Sequence, residues 1–294
     1  MKVEKINFLG WKNCIQLISG DFRIIATTEI GPRIIGGFLG DSENIFYVDS
    51  ENAGKKGGKS WKVYGGHRLW HAPEDFPRTY TIDNSPVDYK VTRNSVIFTQ
   101  KADDLGGLEK KIEVIPGKKE TFKVVHTLTN RNPWMIECSA WALSMMAPGG
   151  VGILPMPQGN KKALLPNTSL SLWPYCNLAD GKCDIGSKYT IVRHDADKKT
   201  PFKIGYNCED GWIAYQVHGV TFIKKFDHMI DGVYPDNGCS AECYSNHQFQ
   251  EMETLSPLYE LDPGESITFT EEWHALVLNS PAVRCEKDAI EVFG

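Results

Sequence analysis

Between Tyr64 and Glu74 the chain reads Tyr-Gly-Gly-His-Arg-Leu-Trp-His-Ala-Pro-Glu, which crowds two imidazoles, a guanidinium, an indole and a carboxylate into one short stretch. Each group has a distinct use. His67 and His71 can give or take a proton near neutral pH. The planar fork of Arg68 matches paired oxygens, and Trp70 offers a flat apolar face for stacking a ring. Gly65 and Gly66 permit a sharp turn and Pro73 stops a helix, so the segment reads as a loop. Its chemistry suits a polyhydroxylated ring, with His67 and His71 as candidate catalytic groups and Arg68, Trp70 and Glu74 as candidate contacts. The plainer alternative is that Leu69 and Trp70 plug a core and His71 is simply hydrogen-bonded. A metal held by His67 and His71 would need further ligands; none is expected.

A second cluster is Phe249-Gln-Glu-Met-Glu-Thr-Leu255, ahead of Ser256-Pro257. In a strand, residues two apart share a face, so Glu251 and Glu253 project with Phe249 and Leu255 while Gln250 and Met252 point the other way. Two carboxylates on a partly apolar face raise one another's proton affinity, and burial adds to the effect. At least one then titrates near neutrality, as a general acid or base requires. The alternative is an exposed face of ordinary carboxylates.

A third group, Tyr234-Pro-Asp-Asn-Gly238, is a turn by composition. Within it Asp236 is a candidate for binding a hydroxyl. Arg33, after Gly31-Pro32, and Lys203, before Gly205, are single charges on short strands.

Short runs rich in Val, Ile, Thr, Tyr and Phe, broken by turn residues, must position these groups, and almost no segment sustains apolar residues at helical spacing. The chain reads as all-β. Expected strands include Cys14–Ser19, Phe22–Thr27, Asn44–Val48, Phe122–Leu128, Ile136–Met146, Trp212–Val217 and Ile267–Leu278, with a short helix in the tail from Pro281 to Phe293. More than a dozen strands without a Ser/Gly linker predict two packed antiparallel sheets in a single domain, 1–294. The Lys- and Gly-rich stretch from Asp49 to Lys62 reads as a solvated loop.

The 294 residues are 41% hydrophobic and 23% charged, with a net charge of −5. This is a globular composition with room for a large core, and its sign disfavours nucleic acid as the main partner. No window is apolar enough for a membrane span, and no apolar leader follows Met1. The expectation is therefore a cytoplasmic protein, or a secreted one whose signal has been removed. Eight scattered cysteines predict reduced thiols rather than a disulfide framework. No nucleotide-binding or Gly-x-Ser-x-Gly motif occurs, and no cofactor is expected.

Taken in order, Ile30-Gly-Pro-Arg-Ile-Ile35, the Gly65–Glu74 segment, Leu128-Thr-Asn130, Glu251–Pro257 and Leu261-Asp-Pro-Gly-Glu265 resemble the galactose mutarotase-like superfamily, in particular bacterial proteins similar to aldose 1-epimerases. The resemblance implies an antiparallel β-supersandwich with a sugar-binding cleft. It also implies a C-terminal Glu as base, matched by Glu251 or Glu253, a central His as acid, and an Arg and a further His that hold the sugar, matched by Arg68 and His67. After Leu128–Asn130, where those enzymes carry the acid, this chain reads Ser139 to Gly149 without a histidine. The acid role then falls to His67 or His71. The functions this supports are a cofactor-independent sugar epimerase, a non-catalytic carbohydrate-binding protein, or a polysaccharide lyase or hydrolase on the same architecture.

Overall fold

A computed structural model describes residues 2–278 and 282–294. It contains two large antiparallel sheets. The first has eleven strands. From one edge its order is Lys2–Phe8, Trp11–Ser19, Phe22–Thr27, Arg33–Leu39, Gly66–Ala72, Ile136–Met146, Gln250–Leu255, Ala241–Ser245, Phe202–Tyr206 and Leu170–Leu172, with Tyr259–Leu261 also pairing with Ile136–Met146. The ten strands of the second run Cys183–Ile185, Tyr189–Arg193, Val151–Pro155, Trp212–Val217, Val220–Phe226, Ser266–Val277, Thr121–Asn130, Leu108–Pro116, Val96–Gln100 and Asp88–Val91. The expected all-β supersandwich is the architecture observed.

The sheets meet on a core in which Phe22, Phe46, Phe122, Phe222 and Trp273 pack at tilted and edge-to-face angles. Each large side chain removed from water there stabilises the fold by roughly 1.5–3 kcal/mol. The middle strands of the first sheet are covered on both faces. Every residue of Gln250–Leu255 is buried, as is Ile136–Met146 from Cys138 onward. Something other than the opposing sheet therefore covers their outer face, and Arg68, Glu251 and Glu253 lie there.

Two expectations change. Asn44–Val48 forms no regular strand and makes only the isolated bridges Phe46 to Met146 and Val48 to Gly65. The Tyr64–Glu74 segment is not a loop, because Gly66–Ala72 is a strand paired with Ile136–Met146 along its length. The tail helix spans Glu286–Phe293, and Pro281 lies outside the described residues. All eight cysteines are free thiols. Among the described residues, no helix is long and apolar enough to cross a membrane.

Candidate active site

Five adjacent strands of the first sheet build the site. Their register sets Trp70 opposite Trp141 and Arg68 opposite Leu143. It continues with Leu143 opposite Glu253, Met145 opposite Glu251, Glu253 opposite Glu242, and Tyr244 opposite Lys203. Directly paired residues share a face, so one outer surface collects all of these side chains. Loops raise walls around it with Trp61, Glu74 and Tyr80 on one side and Trp173, Tyr175 and Phe249 among those opposite. The result is a cleft of about 440 Å³, within the usual range for a small-molecule site.

Charge in the cleft is concentrated on its floor. Glu251 accepts a hydrogen bond from Arg68 Nη2 at 3.2 Å, and the Arg68 guanidinium lies 3.9 Å over the Trp70 ring. Burial pushes the Glu251 carboxyl up to about 7; Arg68 pulls back against this, Glu253 pushes further, and Lys203 and Glu74 contribute less. A carboxyl held there exchanges protons readily at neutral pH. Glu253 Oε2 accepts from Trp141 Nε1 at 2.8 Å and from Lys203 Nζ at 3.0 Å, whereas its Oε1 has no partner. Lys203 Nζ also stands 2.7 Å from Glu242 Oε2. Burial alone would discharge Lys203, but Glu242 and Glu253 outweigh it and hold the ammonium. Burial also drives the Glu242 carboxyl well up, against the pull of Lys203. The Lys203 ammonium lies 4.6 Å from the Trp141 ring centre and 4.4 Å from that of Trp173.

No protein-family model and no curated protein matches the chain. Solved structures do. A galactose mutarotase-like protein from Lactobacillus casei superposes with a TM-score of 0.60 at 9% identity, covering 90% of this chain and 100% of that one. A second, from Clostridium acetobutylicum, gives 0.55 at 8% identity over 94% and 98% of the two chains. The galactose mutarotase related enzyme of Lactobacillus acidophilus gives 0.52 at 10% identity over 92% and 99%. This chain has the galactose mutarotase-like fold. At such identity the likeness concerns the fold alone, and the site is argued from its own residues.

On this mutarotase-like sheet the alternation of strand Gly66–Ala72 decides what each residue of the motif can reach. Arg68 and Trp70 face the cleft, and Glu74 follows at its lip, bonded to the Tyr80 hydroxyl. Trp70 is 4% exposed with Arg68 over its ring, so it backs the guanidinium instead of offering an open face. The half-buried Trp61 and Trp173 offer the freer aromatic surfaces.

His67 is corrected to a core position, because it alternates with Arg68 and so points between the sheets. There it is fully buried, 4.7 Å from the Trp273 ring. Its Nδ1 pairs with Ser144 Oγ at 2.9 Å and its Nε2 with His126 Nε2 at 2.7 Å, while His126 Nδ1 meets the Phe269 carbonyl at 3.1 Å. A single sense of donation satisfies this chain, with Ser144 giving to His67, His67 to His126 and His126 to Phe269. Ligand atoms of His67, His126 and Glu271 lie within 4.8 Å of one another. Glu271, however, is already engaged by Lys224 at 2.8 Å, by Trp273 Nε1 at 2.7 Å and by the Thr254 hydroxyl. The donor set serves the core and does not fit a metal.

The other expected residues lie outside the cleft. His71 also turns from it and lines a separate hollow of about 200 Å³ with Asp75, Arg78 and Trp134. Arg33 is buried against Asp83 and donates to the Gly65 carbonyl at 2.6 Å, bracing the turn into the motif strand. Asp236 sits in the Pro235–Gly238 turn with left-handed backbone, and its carbonyl accepts from Ser171 Oγ at 2.6 Å. Among the described residues no histidine lines the cleft. Trp61, Trp141, Trp173 and Tyr244 also line the cleft, although nothing near them in sequence marks them as functional; Glu242, which follows the Tyr234–Gly238 turn in sequence, joins them through Lys203. Lys203 stood out only as a charge between Phe202 and Ile204.

Proposed function

We propose that the protein binds a carbohydrate in this cleft and interconverts the anomers of a reducing sugar, with Glu251 and Glu253 moving the protons. The arrangement that carries the reading is Glu251, 3.2 Å from Arg68, beside Glu253, whose buried Oε1 has no hydrogen-bond partner, on the floor of an indole-walled cleft; burial, which pushes the Glu251 carboxyl up to about 7, agrees with it. Glu251 in its acid form gives its proton to the ring oxygen while Glu253 Oε1 takes the proton of the anomeric hydroxyl. The bond between the anomeric carbon and the ring oxygen breaks, leaving an open-chain aldehyde. Rotation about the adjacent carbon–carbon bond exposes the other face, and the two proton transfers reverse to close the ring. Arg68 holds Glu251 in place, and Trp141 with Lys203 holds Glu253. The reading needs no cofactor and treats residues 1–294 as one cytoplasmic domain.

Polarimetry of freshly dissolved α-glucose and α-galactose tests it. The expected result is accelerated mutarotation of at least one sugar, lowered about 10²–10⁴-fold in Glu251→Gln and in Glu253→Gln. No acceleration of any aldose by the wild type overturns the enzymatic reading. Calorimetric binding of a sugar without reaction would then reassign the cleft to recognition alone.

A further inference from the structure

Tyr80 and Trp61, which wall one side of the cleft, also line a second hollow of about 610 Å³ on their outer side. Aromatic contacts run through this wall without a break. Ring centres step 5.6 Å from Trp141 to Trp70, 5.0 Å from Trp70 to Tyr80 and 5.8 Å from Tyr80 to Phe76. Trp61 braces the row edge-on, 5.2 Å from Tyr80.

Phe76 ends the row 80% exposed, with Leu105 beside it in the hollow 53% exposed. A contiguous exposed apolar patch gains free energy when a ligand covers it. Polar groups stand next to this surface, since Asp103 and Asp104 also line the hollow. Flat apolar surface flanked by acceptors suits a pyranose, whose C–H face packs on an aromatic while its hydroxyls donate to carboxylates.

We infer that the hollow is a second sugar subsite continuous with the cleft, and that the ligand is a reducing oligosaccharide. Its end ring occupies the cleft and the next ring packs on Phe76 and Tyr80. This rests on the carbohydrate reading of the cleft and adds the size class of its ligand. The shared Trp61–Tyr80 wall argues for it, because one ligand crossing that wall touches both hollows.

Titration calorimetry with glucose and galactose against maltose, cellobiose and lactose tests the inference on wild type and Phe76→Ala. The exposed Phe76 ring can be truncated without opening the core. At least one disaccharide should bind about tenfold or more tighter than its monosaccharide. Phe76→Ala should remove that gain and leave monosaccharide affinity unchanged. Equal affinities for the two classes, or a gain that survives in Phe76→Ala, overturn the second subsite while leaving the cleft reading intact. No binding of any sugar overturns both.

Discussion

Arg68 and Glu251 stand 183 residues apart in the chain and 3.2 Å apart in the cleft, joined across the strand between them. The pair sets the proton affinity of the group proposed as the acid. Because Arg68 favours the Glu251 anion, removing it drives the carboxyl further up. With Glu251 near 7, kcat/KM declines as pH rises through that value and the proton is lost. Arg68→Met should move this decline upward by on the order of one pH unit. A pH profile with its alkaline limb unmoved would disconnect Arg68 from Glu251.

Lys203 is the ammonium shared by Glu242 and Glu253. Lys203→Met leaves both carboxylates buried without a cation, a loss of about 3–5 kcal/mol. Adding Glu242→Gln removes one of the stranded acids and should restore part of that stability. Urea unfolding of the single and double variants measures both. A loss below about 1 kcal/mol in the single variant would show that the cluster is neutral without its lysine.

The imidazoles of the core give a stability that depends on acidity. Burial, reinforced by neighbouring cations, pushes His67 well down; burial holds His126 down at about 4, with Glu271 acting against it. In the unfolded chain a histidine titrates at about 6.5. Between those values the unfolded state binds more protons, so stability rises with pH and is lost as pH falls from about 6.5 toward 4. For His126 alone the change is on the order of 3 kcal/mol. Unfolding midpoints at pH 7 and pH 4.5 should differ accordingly, and a His67→Leu, His126→Phe double variant should show a smaller difference. An unchanged pH slope in that variant would assign the acid sensitivity elsewhere.

Gly66 opens the motif strand with φ of +71°, and a Cβ there would collide with the Ile34 carbonyl oxygen. The left-handed backbone disfavours any side chain. The neighbouring backbone cannot retreat without moving Arg33–Leu39. Gly66→Ala should cost about 3 kcal/mol or more and weaken sugar binding too, since Arg68 and Trp70 ride on the displaced strand. Full stability with intact binding would show that the turn adapts.

The architecture and part of the candidate site are legible from residue pattern. Alternation put Glu251 and Glu253 together because a strand has period two, and both line the cleft as that period requires. The same period governs Gly66–Ala72, but the local sequence masks it. Its glycines and proline suggested a loop, and its two buried faces hide the usual apolar alternation. His67 and Arg68 look like one group in sequence, yet the pleat sends them to opposite sides. The sequence shows Lys203 only as an isolated charge, because its partners Glu242 and Glu253 arrive from strands 39 and 50 residues further on. His126 lies on the second sheet, and a contact between sheets leaves no trace in the local sequence of either strand.

Strand Ile136–Met146 presents Trp141, Leu143 and Met145 to the cleft and packs Ala140, Ala142 and Met146 into the core on its other side. The floor of the site is thus drawn from buried strands paired on both sides, the kind of backbone that opens only with the whole fold, while its lip is built from loops carrying Trp61, Tyr80, Trp173 and Tyr175. Chemistry and selectivity are assigned to parts with different tolerance for change. Loop replacements could retune which ligand enters while the carboxylates below keep their positions, which makes the lip the natural target for redesign.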